Sequence, residues 1–169
     1  MTSMPTRYLL EAHSVAESRP VDEAALPPDI AQMYRYWMEK RGSGFAPLLS
    51  DFHLDELPAK VLPLATLADV RTPPLNFIYR FWGSGRTAQQ GKDYTGCSID
   101  EVRPESIARK IRKEYEEVYS RKMGMHFVSS CTLDDGRKLG YHFIRLPLRG
   151  PGDTVAHIFC TEFNRSPDD

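Results

Sequence analysis

The chain has 169 residues, with 22 Lys and Arg against 23 Asp and Glu, and a formal net charge of −1. That length favours one domain with a substantial core, and the balanced charge excludes a global nucleic-acid footprint or a polybasic membrane patch. Cys97, Cys131 and Cys160 stand far apart without a CxxC pair, the usage of a reduced, cytoplasmic protein; no apolar run reaches the ~20 residues of a membrane-spanning helix, and the first residues lack a signal-peptide core.

Residues 1–27 carry Pro5, Pro20 and Pro27 with little periodicity, and read as a flexible leader. From 28 to 41 the pattern turns helical, because Ile30, Met33, Tyr34, Trp37 and Met38 fall at i, i+3, i+4, i+7 and i+8. Asp29 suits the start of that helix, Lys40 and Arg41 its end, and Gly42 the stop. The stripe either packs on the body of the domain or meets a dimer partner. Residues 64–70 and 77–82 form two strands joined by Arg71-Thr72-Pro73-Pro74, and Gly83-Ser84-Gly85 ends the second. Polar pieces and a turn at Asp93-Tyr94-Thr95-Gly96 follow, with one helical turn over 98–102.

The strongest helix spans 104–122, with Ile107, Ile111, Tyr115, Val118 and Tyr119 as its apolar face. Its bases precede its acids, against the helix dipole, so packing must hold it. Three strands close the chain, at 125–133, 139–148 and 154–163. Asp134-Asp135-Gly136 between the first two is a hairpin signal, and 164–169 is a polar tail. Residues 28–163 therefore make one α+β domain. It has a single five-stranded antiparallel sheet, small helices, one long helix on one face, and the N-terminal helix flanking it.

The order LPLATLADV (62–70), FIYRFWGSG (77–85) and GKDYTGCSIDEV (91–102), with Leu146-Pro147-Leu148 before the last strand, resembles the single-domain PAS proteins of alphaproteobacteria. In that family a Leu-Pro…Asp-Val segment leads into an aromatic-x-Tyr-Arg-x-x-Gly strand and a Gly-x-Asp-x-Thr-Gly turn. The match covers about residues 34–162. The resemblance implies a PAS-like fold in a sensory or regulatory role, as a ligand sensor or as a homodimeric adaptor with a filled core, and it implies no catalytic residues. No kinase, cyclase or helix-turn-helix module fits beside such a domain here, so output is expected through a signalling protein partner or dimerisation.

Strand alternation about the final turns puts Phe127, Tyr141, Phe143 and His157 on one face, joined by Tyr79 and Phe81. With Tyr115 from the long helix they would line an aromatic pocket whose polar handles are Tyr79, Tyr115, Tyr141 and His157. Ile30, Met33, Tyr34, Trp37 and Met38 are the expected dimer or partner surface. His126, His142 and His157 lie on separate strands without HxxxH or HExxH spacing, so no metal site is expected. No motif assigns haem, and the Asn-Cys-Arg-Phe-Leu motif of flavin-binding light sensors is absent. GxSxG, P-loop and kinase signatures are missing too. The remaining enzymatic reading is a small cone-type isomerase or dehydratase using His157 with Asp69 or Asp93.

Overall fold

The computed structural model describes residues 15–132 and 138–165. Its strands are β1 (Val15–Pro20), β2 (Thr66–Arg71), β3 (Asn76–Trp82), β4 (Met125–Thr132), β5 (Lys138–Arg149) and β6 (Val155–Arg165). Its α-helices are α1 (Pro28–Arg41), α2 (Ser84–Gln90) and α3 (Glu105–Arg121), and short 3-10 turns fill the links. The Asp134-Asp135-Gly136 turn, and residues 1–14 and 166–169, lie outside the described residues.

All strands pair antiparallel in one sheet, in the order β1-β4-β5-β6-β2-β3. Among the described residues the sheet has six strands rather than the expected five. The addition, β1, comes from the segment read as a leader. Its sequence, VAESRP, has no apolar alternation, and residues 17–20 are exposed. The backbone ladder to β4, from Val15↔Ser130 to Pro20↔Met125, holds it in place, together with Ser18 Oγ donating to Glu117 Oε1 on α3 (3.2 Å). Ladder bonds need no side-chain pattern, which is why β1 leaves no trace in hydropathy.

Each face of the sheet is covered by one long helix. On the α1 face, Ile30, Ala31, Met33 and Trp37 pack with Ile144, Leu146, Leu148 and Phe159. Trp37 Nε1 donates to Pro147 O (2.9 Å), so even the indole is satisfied inside this core. Ile30, Met33 and Trp37 are thereby spent on packing and are not available as partner surface; Tyr34 is half-buried and Met38 is exposed. On the other face, Ala108, Ile111, Tyr115 and Val118 of α3 pack with Phe77, Tyr79, Met125, Phe127 and Ile158. Lys122, at φ 53°, caps that helix in the left-handed conformation and its N–H bonds to Val118 O.

Two one-residue bulges set which side chains face which helix. Between β2 and β3, Leu67 pairs with Phe81 but Ala68 with Tyr79, leaving Arg80 as the extra residue. Between β5 and β6, Leu148 pairs with His157 but Arg149 with Val155, leaving Ala156 extra. An extra residue inverts the alternation beyond it. Tyr79 therefore packs on the α3 side while Phe81 packs on the α1 side. Ile158, Cys160 and Glu162 become the α3-facing set of β6, and His157 points the other way. Trp82 and Ile158 lie beside Tyr79 in the α3-side core.

Candidate functional site

Strands β5 and β6, α3 and α2 enclose a cavity of about 80 Å³. Gly83 lets the start of α2 lie against the backbone of the Leu62–Pro63 turn: a Cβ there would lie 2.4 Å from Pro63 O. The helix then carries Arg86, Gln89 and Gln90 to the cavity wall. Tyr79, Tyr115, Tyr141 and Phe143 supply the aromatic lining.

The same wall holds charges. Arg145 follows Tyr141 and Phe143 on alternate positions of β5, and its guanidinium sits 4.9, 5.1 and 5.8 Å from the ring centres of Tyr115, Phe143 and Phe127. Its Nη1 donates to Cys160 Sγ (3.1 Å), and Cys160 Sγ is 3.2 Å from Tyr115 Oη. Its Nη2 lies 3.5 Å from Glu114 Oε2, with both side chains less than 10 % exposed, at 6% and 9%. That contact is monodentate and longer than the ~2.8 Å of a tight charged pair. On the α2 side Arg86 pairs with Glu162, and Gln89 Nε2 donates to the same carboxylate (3.4 Å). Lys110 Nζ donates to Ser129 Oγ. Among the described residues, Arg145 Nε, Glu114 Oε1, Gln90 Oε1 and Thr161 Oγ1 are buried without a hydrogen-bond partner. Each such atom costs about 1–3 kcal/mol.

Burial pushes the Tyr79 phenol up to about 12 and that of Tyr115 well above its ordinary value, so both remain protonated donors at neutral pH. Burial opposes the charge on Arg145, but Glu114, then Cys160 and Tyr115, more than offset it and hold the guanidinium ionised. Burial lowers Lys110, with Glu114 pulling against it. The wall is suited to binding through hydrogen bonds and ring contacts.

Of the residues expected in the pocket, Tyr79, Tyr115, Tyr141 and Phe143 line this cavity. Phe127 touches Arg145 from behind and lines an adjoining groove under β1 with Ser18, Lys110 and Glu114. Phe81 and His157 are on the α1 side, displaced by the two bulges. His157 Nδ1 instead lies 2.7 Å from Asp69 Oδ1, which also accepts from Arg80 Nε (2.8 Å). Asp93 is not part of that pair: it caps its own turn through Thr95. His126 Nε2 and His142 Nδ1 approach to 2.8 Å beside Phe163, away from the cavity. Sequence reasoning missed Arg145, Glu114 and Glu162. Arg145 was reachable by extending the Tyr141–Phe143 alternation two residues, and Glu114 by its place between Ile111 and Val118.

No protein-family model matches the chain, and no curated protein does. Among solved structures it is similar to an RNA-binding light-oxygen-voltage receptor, with a TM-score of 0.52 and 18% identity over 89% of this chain and 38% of that one. The chain has a PAS-like fold. The PAS-like domain is also similar to VqmA bound to DPO (TM-score 0.45, 11% identity, 60% of this chain and 51% of that one). The Rhodobacter sphaeroides LOV protein is a further structure similar to this domain (TM-score 0.43, 13% identity, 62% and 61%). The chain spans well under two thirds of the first two of these proteins. No helix among the described residues of the PAS-like domain is long and apolar enough to cross a membrane.

Proposed function

We propose that this chain is a ligand-sensing regulatory domain of the single-domain PAS type, with its ligand held between the sheet and α3. The observation that carries this reading is the loosely closed Arg145–Glu114 pair in the cavity wall. A buried ion pair contributes little to stability over an apolar replacement, so packing alone gives no reason for it. A ligand that engages Glu114 engages α3, on which Lys110 and Tyr115 also sit, and α3 passes the event to β1 through Glu117. Native and denaturing mass spectrometry of freshly purified protein, with an absorbance spectrum, tests this. Extra mass that is lost on denaturation is the expected result. A clean apo mass, with no thermal shift across a library of small metabolites, would sink it.

A second reading concerns output. Met38 and Met123 are the exposed large hydrophobics among the described residues, and both line a groove with Tyr34, Arg41, Phe45 and Lys122. Contact with a second copy or a signalling protein fits there, at the outer edge of the α1 stripe. Met38→Glu should then lower the oligomeric mass measured by light scattering while leaving the melting temperature unchanged.

A further inference from the structure

The carboxylate of Glu114 and the guanidinium of Arg145 meet through one arm only. Arg145 Nη2 reaches Glu114 Oε2 at 3.5 Å, while Arg145 Nε and Glu114 Oε1 are buried without partners. A closed fork would join both arms in parallel. The unmet donor and the unmet acceptor thus belong to the same two side chains, and both side chains line the cavity. Rings surround them: Tyr115 and Phe143 lie within 5.1 Å of the guanidinium, and Tyr141 lines the same space. At about 80 Å³ the cavity is well below the ~300–1,000 Å³ of sites for drug-sized ligands. It suits one ring rather than a fused system.

We infer that the ligand is a small planar ring carrying an N–H donor next to a C=O acceptor, a cyclic amide edge that the half-open Glu114–Arg145 fork reads. This inference rests on the cavity reading above. The ligand carbonyl accepts from Arg145 Nε, the ligand N–H donates to Glu114 Oε1, and the ring faces Tyr115 and Phe143. The pair's two charges balance, so the edge is neutral. The competing selector in the cavity is Lys110, whose hydrogen-bond partner is the uncharged Ser129 hydroxyl; a cation placed there would choose an anion instead.

Three probes separate these. 2-Pyridone has adjacent N–H and C=O groups. 4-Pyridone is its isomer with the same groups across the ring, and benzoate is a ring of like size bearing a negative charge. Titration of the intact chain, followed by protein NMR, should give 2-pyridone a Kd at least about tenfold below both others, because the isomer satisfies one arm and leaves the other buried and unpaired. In Glu114→Met, which keeps the volume and removes the acceptor, the ratio between the isomers should fall to about one. The wild-type ratio stands even if that variant does not fold. Equal affinity for the two pyridones would overturn the inference and leave a bridging water as the closure of the fork. Tightest binding of benzoate would overturn it in favour of Lys110. Failure of every probe to shift a cavity resonance, together with a clean apo mass, would instead remove the cavity reading beneath it.

Discussion

Ile144, Leu146 and Leu148 of β5 face α1, whereas Tyr141, Phe143 and Arg145, alternating with them, face α3. The α1 face is mainly apolar, with the uncharged Thr161 and the His126 imidazole its fully buried polar groups among the described residues, and Ile144, Leu146, Leu148, Phe159 and Met33 are fully buried there. The α3 face has a comparable set of aromatic rings but also encloses Arg145, Glu114 and Glu162. The difference is energetic. Apolar burial on the α1 side stabilises by about 1.5–3 kcal/mol for each large side chain. Charges on the α3 side must be desolvated before they attract one another, which leaves little net gain. One side of the sheet secures the fold, and the other retains charged groups that add little to it, the groups the proposed ligand would engage.

The contrast breaks most severely at Trp37. Trp37→Glu places an unpaired charge in the apolar face and removes the bond to Pro147 O. The expected loss is about 4 kcal/mol or more, seen as a lost or non-cooperative thermal transition. A variant that melts like the parent would show that α1 does not secure the sheet.

On the α3 side, Glu114→Met strands Arg145 and should cost about 3 kcal/mol in chemical denaturation. Adding Arg145→Met should return most of it. A double variant as unstable as the sum of the two single ones would contradict the ion-pair account. Tyr115→Phe removes only the hydroxyl beside Cys160 and Thr66, and should cost about 1 kcal/mol.

The smallest effect is at the rim of the α1 face. Burial pushes the Asp69 carboxyl up, but hydrogen bonds from Arg80 and then His157 pull it below the ordinary carboxylate range. A depressed folded value means the stabilisation is complete above the unfolded value of about 3.9 and is lost as pH falls through the folded one. Asp69→Asn should therefore flatten the acid limb of the stability–pH curve.

Regular periodicity made much of this legible. The α1 stripe, the α3 face and the Phe127, Tyr141, Phe143 set follow from spacings of 3.6 and 2, and the element order from β2 onward follows from glycine and proline breaks. Phe81 and His157 were misplaced because nothing in FIYRFW or VAHIF announces an extra residue at Arg80 or Ala156. A bulge is a property of two paired strands, so neither strand alone encodes it. Glu114 and Arg145 escaped for a different reason. Charged residues on an apolar helix or strand face read as solvated positions until a partner across the core is visible.

The chain contains two tryptophans, and the sheet puts one on each side. Trp37 is enclosed by the α1 core. Trp82 packs edge-on to Tyr79 and Tyr94, at ring separations of 4.8 and 5.1 Å, beneath the Arg86 guanidinium at 5.4 Å. Arg86 and Tyr79 both border the cavity. The protein is thus its own two-channel fluorimeter. With Trp37→Phe the emission reports the cavity side, and with Trp82→Phe it reports the foundation. A ligand titration should be bright in the first channel and silent in the second, without an added label.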